Sequence, residues 1–178
     1  MTALILLSAI SFWVTRSQDE AGPAPVAGLD PELDYVLHDF ELQFFDELGQ
    51  PTINMRAPIL RNDPKLQMGT VEHPVARLNQ EDAVWDLKAD LATVTADKEH
   101  VQLIGQVQVF RNEPATGNWV EFNTQEIQIE VTPQTATTNQ PVSMFDGYNR
   151  VNAIGLELDM KTKLYSLKQQ VKATYAVN

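Results

Sequence analysis

The stretch from Trp85 to Val109, WDLKADLATVTADKEHVQLIGQVQV, decides the fold. Trp85, Leu87 and Ala89 alternate with Asp86 and Lys88. Val101, Leu103, Gly105, Val107 and Val109 alternate with Gln102, Ile104, Gln106 and Gln108. A period of two is that of a strand with one face in the core. Ala96-Asp97-Lys98 supplies turn residues between the two runs, so the stretch reads as a hairpin.

The same hairpin is written four times. Ala57, Ala89, Thr124 and Ala153 form one column, and Val75, Val107, Val142 and Val171 form a second, 18 residues later in every copy. Steps between copies are 32, 35 and 29. Val71, Leu103, Thr138 and Leu167 form a third column, four before the valines. After the small residue the phase slips: Ala92 and Val94, Ile127 and Ile129, and Leu156 and Leu158 are out of step with what precedes them. One extra residue reverses facing, as in a β-bulge, and a bulge at one place in each copy would curl the sheet. A repeat cannot bury its apolar face alone, so the copies must stack around a core continuous along one axis. Before the first copy, Val36, His38, Phe40, Leu42 and Phe44 read as one face of a further strand. No helical period appears after residue 35. The fold class expected is all-β, built from stacked hairpin repeats, and its lengthwise apolar interior is a path for a long apolar ligand.

Composition narrows the function. Formal net charge is −11, from 13 Lys+Arg against 24 Asp+Glu, which argues against a nucleic-acid footprint. Cysteine is absent, so no disulfide stabilises the fold. Enzyme chemistry has few candidates. The histidines are His38, His73 and His100; no nucleophile elbow, His-x-x-x-His pair or phosphate-binding glycine loop is present. Neither a metal nor a cofactor is expected. His38, on the apolar face of its strand, reads as core rather than ligand, and Asp63, Asp90, Asp97 and Asp146 read as turn and surface acids.

The front of the chain is different. Thr2 to Thr15, TALILLSAISFWVT, carries no charge. Residues 1–16 are expected to form a transmembrane anchor, with Trp13 at the interface and Arg16 snorkelling. A cleaved signal peptide and a buried helix compete with it; the first lacks a basic leader, the second a polar stripe. The segment falls short of the roughly 20 residues a spanning helix needs, which a start further upstream would explain. Residues 17–31, with three prolines and two glycines in SQDEAGPAPVAGLDP, read as a flexible linker. Residues 32–178 are the β domain.

The runs Trp85 to Ala92 and Val101 to Val109, the preceding Val71-Glu72-His73-Pro74-Val75, the turn at Gly49 and the closing Val171-Lys172-Ala173-Thr174-Tyr175 resemble the periplasmic domain of the LptC family of lipopolysaccharide export proteins. The Trp-x-x-x-Ala-Asp and Gly-x-Val-x-Val pieces also occur in the related domains of LptA and LptD; the single anchor at this length selects LptC. The resemblance implies an open, twisted β-jellyroll behind one inner-membrane helix. It implies a place beside the ABC transporter subunits LptF and LptG, with LptB, and a non-enzymatic role in which lipopolysaccharide is received from the transporter and passed to periplasmic LptA. Carried onto this chain, the LptF-facing edge lies around Tyr35, Val36 and Phe40, and the LptA-facing edge around Val171, Ala173 and Tyr175.

The candidate lipid-binding groove comprises Phe40, Leu42, Phe44, Val71, Leu103, Val107, Tyr165, Leu167 and Tyr175. For each of these, ordinary core packing is the competing reading. Burying one CH2 is worth roughly 0.8 kcal/mol without direction, which suits a conveyor. Three functions stand open: a lipid conduit; a membrane-anchored scaffold whose interior is closed core; and, weakest, a secreted hydrolase or sugar-binding domain.

Overall fold

The computed structural model describes residues 33–80 and 82–175. The expected anchor (1–16) and linker (17–31) lie outside them. Eleven strands run through the described residues: β1 Tyr35–Phe45, β2 Pro51–Asp63, β3 Met68–Glu72, β4 Val75–Asn79, β5 Val84–Lys88, β6 Leu91–Thr95, β7 His100–Glu113, β8 Asn118–Glu130, β9 Thr135–Phe145, β10 Arg150–Asp159 and β11 Leu164–Thr174. All pairings are antiparallel. β2 pairs with β1 on one side and with both β3 and β4 on the other; β7 pairs with both β5 and β6, and then with β8. The meander continues β8–β9–β10–β11. None of the described residues is helical.

Each pass of the chain bends once. The third pass breaks between β3 and β4 at His73-Pro74, the fourth between β5 and β6 at Ala89-Asp90. β7, β8 and β10 stay continuous but shift register near Gly105, Thr124 and Ala153. These bends fold the sheet into two half-sheets that face each other. The corner is lined by Ala57, Pro74, Ala89, Val107, Thr124, Val142 and Ala153, all buried. Small side chains stand here because the backbones of both halves converge.

The bend explains the slipped phase. Beyond the corner the chain turns its other edge inward, so inward residues follow a three-residue step: Ala57 to Leu60, Ala89 to Ala92, Thr124 to Ile127, Ala153 to Leu156. One half-sheet then presents Met55, Ala76, Leu87, Val109, Phe122 and Met144 as a cross-strand row. The other presents Leu60, Val71, Ala92, Leu103 and Ile127, continued by Thr138, Leu156 and Leu167. The third sequence column is thus a physical row of the core.

Two expectations are corrected. Val75 is not in the corner; it pairs with Arg56 and Lys88. His73 takes φ 45° and Pro74 fills the inward place instead. In β1, Tyr35 and Leu37 are the half-buried residues before the bend, while Val36 and His38 are exposed. Asp39, with φ 47°, switches the facing so that Phe40, Leu42 and Phe44 follow on the inside. His38 is therefore a surface residue, not core.

The hairpin turns share one device. Asp46, Asp63, Asp97, Asp146 and Asp159 each accept backbone N–H bonds from two to four residues ahead, such as Leu48 N–H at 2.9 Å and Asn149 N–H at 2.7 Å. These are Asx turns. The Thr95 hydroxyl lowers the pKa of Asp97, the Asn149 side chain that of Asp146, and the Thr162 backbone that of Asp159. A carboxylate with a depressed folded pKa adds stability above its unfolded value and loses it as pH falls through the folded one. The melting temperature should therefore hold steady above the ordinary aspartate range, near 3.8, and fall on further acidification. A Tm series from pH 7 to pH 2 checks this; the D97N, D146N and D159N triple variant should flatten the acid limb.

Candidate functional site: an apolar interior between two free edges

The space between the half-sheets is lined almost wholly by apolar side chains. Its walls come from Leu78, Trp85, Val109 and Phe122 on one side and Ile127 and Leu158 on the other, around a cavity of about 70 Å³. An apolar cavity of about 150 Å³ holds one benzene. An acyl chain therefore enters the middle of this interior only if the half-sheets part. Besides the shared core and the strands that run through the bend, two side-chain contacts join them. Tyr165 of β11 meets Phe122 of β8 edge-on at 6.2 Å. Lys163, in the β10–β11 turn, forms an ion pair with Asp82, in the β4–β5 turn. Both partners are well exposed, and exposed pairs are worth about 0–1 kcal/mol. Trp85 is fixed by its Nε1–H, which donates to Gln80 Oε1 at 3.1 Å.

The groove residues fall into three groups. Val71, Leu103 and Val107 are fully buried core in the middle. Phe40, Leu42, Phe44 and Leu167 are half-buried toward the two ends. Tyr165 and Tyr175 are 53% and 67% exposed. The interior is thus sealed centrally and loosens at both ends, where a further copy of the repeat would sit. Val171 shows the reason. Its column mates Val107 and Val142 are buried beneath neighbouring strands on both sides, but among the described residues no strand lies beyond Val171, which is 51% exposed.

Both ends of the sheet are unpaired among the described residues: β1 pairs only with β2, and β11 only with β10. Tyr35, Val36 and Phe40 lie on β1. Val171 and Ala173 lie on β11, with Tyr175 just past it. Long free edges are normally avoided or blocked, so two in one domain are a feature to explain.

Charge is nearly absent from the inner face. The rim row runs Ile53, Leu78, Trp85, Arg111, Val120. Arg111 was missed by the sequence reading, although the signal existed: it continues the alternation of Val107 and Val109 and so must face inward. Its guanidinium lies 5.5 Å from the Trp85 ring centroid and bonds Glu113 Oε1 at 2.5 Å. Glu113 has its pKa lowered by the Thr116 hydroxyl and then by Arg111. Nothing here assembles catalytic or metal-binding groups: His38, His73 and His100 are exposed and separate, and no cluster of metal-ligating side chains exists among the described residues.

Comparison with known proteins narrows the choice. A search of curated proteins returns no match. Among solved structures, the fold is similar to that of LptH from Pseudomonas aeruginosa, described as the LptA-homologous periplasmic component of the lipopolysaccharide transport device. The TM-score is 0.55 at 12% identity, covering 70% of this chain and 95% of that one. A family model described as "Lipopolysaccharide-assembly, LptC-related" matches residues 1–176. With hairpin repeats, apolar interior and match in agreement, the chain belongs to the LptC family, whose members are components of lipopolysaccharide transport and not enzymes.

Proposed function

We propose that this chain is an inner-membrane relay: an N-terminal helix (1–16) anchors it, a linker (17–31) spaces it, and the β domain (32–178) works in the periplasm. The domain receives lipopolysaccharide from a transporter of LptF, LptG and LptB, and hands it to LptA along its interior. Phe40, Leu42, Phe44, Val71, Leu103, Val107, Tyr165, Leu167 and Tyr175 line the route. β1, at Tyr35, Val36 and Phe40, pairs with the transporter's own β domain, and β11, at Val171 and Ala173, with LptA. Strand addition at a free edge gives main-chain hydrogen bonds and keeps the two interiors aligned. The observation that carries this reading is an apolar interior that runs across every strand and ends, among the described residues, at two unpaired edges.

The small cavity favours a second reading, a tether that joins transporter and LptA without holding lipid. One experiment separates them. A photo-crosslinking side chain at Leu103 or Tyr165 is expected to capture lipopolysaccharide in cells, Leu103 only while the halves are parted. Absence of capture at both positions, with the partner complex intact, leaves the tether.

A further inference from the structure

Two turns meet across the open side of the interior, opposite the corner. The β10–β11 turn belongs to one half-sheet and the β4–β5 turn to the other, and Lys163 of the first forms its ion pair with Asp82 of the second. Among the described residues the other ion pairs each stay within one half-sheet, as Arg61 with Glu72 and Arg77 with Asp86 do. We propose that Lys163 and Asp82 are a latch over the mouth of the interior, and that the half-sheets part only when it is released. This rests on the reading that the half-sheets part, and not on what then enters.

Position, support and strength point the same way. Leu78 and Trp85 flank the turn that carries Asp82, Leu158 and Met160 lead into the turn that carries Lys163, and all four line the cavity. The pair therefore stands over the cavity's mouth. Each turn is braced from its own side. Asp159 Oδ1 accepts the Lys161 and Thr162 N–H groups, both at 2.9 Å. The Met160 N–H donates to the Gln134 carbonyl at 2.9 Å and Lys161 Nζ to the Thr132 carbonyl at 3.2 Å, which tie this turn to the β8–β9 turn of the same half. Lys163, at φ 61°, is the residue of the turn that reaches the other half instead. Opposite it, the Gln80 N–H closes the β4–β5 turn on the Ala83 carbonyl at 2.8 Å, and Gln80 Oε1 holds the Trp85 ring. The strength suits a closure that must be undone. The Lys163 and Asp82 side chains are 38% and 53% exposed, so water screens the pair and no buried charge is stranded when it breaks. The corner, which does not open, is sealed by buried apolar side chains such as Ala57, Val107 and Ala153.

The test uses the full chain in phosphatidylcholine vesicles and the rate at which N-ethylmaleimide labels one introduced thiol; the chain has no cysteine of its own. Ala136→Cys puts the thiol in the cavity wall and Ala153→Cys puts it in the corner, both at buried positions. Position 136 should be labelled at least about tenfold faster than position 153, because parting exposes the first and only unfolding exposes the second. Lys163→Glu should raise the rate at position 136 about three- to fivefold, near the ceiling for a solvent-exposed pair, since the pair must break whenever the mouth opens. Position 153 should remain the slower site in that variant. Adding Asp82→Lys to Lys163→Glu should return position 136 toward its original rate. A rate at position 136 that Lys163→Glu leaves unchanged overturns the latch but keeps the parting of the half-sheets. A double variant that retains the raised rate overturns the ion pair as the closure. Equal rates at the two positions before any change at Lys163 overturn both the latch and the parting.

Discussion

Gly105→Ala is expected to destabilise the domain by about 3 kcal/mol, a loss on the order of 10 °C in Tm. Gly105 sits in the bend of β7 with φ 92°, which a side chain resists at about 1–2 kcal/mol. There is also no room. A Cβ built there meets Asp90 Oδ2 at 2.3 Å, Cβ at 2.6 Å and Cγ at 2.7 Å, and the Asp90 Cβ belongs to the root of that side chain and cannot swing away. Asp90 is held as well, since its Oδ2 accepts the Gln106 N–H at 2.8 Å and its carbonyl accepts the His73 N–H at 2.8 Å. The sequence pattern puts Gly105 on the apolar face; the bend turns its free direction toward exposed Asp90 instead. Gly105→Arg would therefore break the corner rather than plug the interior. The double variant Asp90→Gly, Gly105→Ala removes the clash but not the backbone cost, so chemical denaturation should show it less destabilised than the two single losses summed. Strict additivity would refute the clash.

Ending the chain at Val171 should weaken binding to an LptA-type partner at least about tenfold while costing the fold only about 1 kcal/mol. Residues 172–175 are all exposed, and they pair on one side only, Lys172 with Asn152, Ala173 with Val151 and Thr174 with Arg150. Their removal strips little core but shortens the free ladder that a second protein would extend. Partner binding measured by co-purification from membranes, beside a melting curve of the same variant, decides the matter. Full binding by the truncated chain would rule out pairing through this edge.

The repeat was legible because stacking forces each copy to bury the same positions, and the columns read at Val71, Leu103, Thr138 and Ala57, Ala89, Thr124, Ala153 are rows of the core. The phase slip was legible for the same reason. What the sequence concealed is backbone at positive φ carried by residues other than glycine. Asp39 at φ 47° and His73 at φ 45° switch facing in their strands; both residue types tolerate the left-handed region better than most, but neither is confined to it, so the pattern alone does not mark the switch. Hence alternation alone puts Val36 and His38 inside where Tyr35 and Leu37 stand, and puts Val75 in the corner that Pro74 occupies. The end effect at Val171 was equally hidden, since a column says which face is apolar but not whether a neighbour exists to cover it. Arg111 was readable from period two alone and was passed over because a charged residue breaks the hydrophobic pattern it continues.

The strands β1 and β11 are unlike in sequence, and among the described residues each is paired on one side only. A body built so has a head and a tail. Joined head to tail, units of this kind lengthen in one direction unless the rotation between them closes a ring, and every added unit of an open row renews the same pair of ends. A bridge made this way inherits its polarity from its links without any outside guide. Its length is not written into this domain, and must be limited by whatever finally binds the last open end.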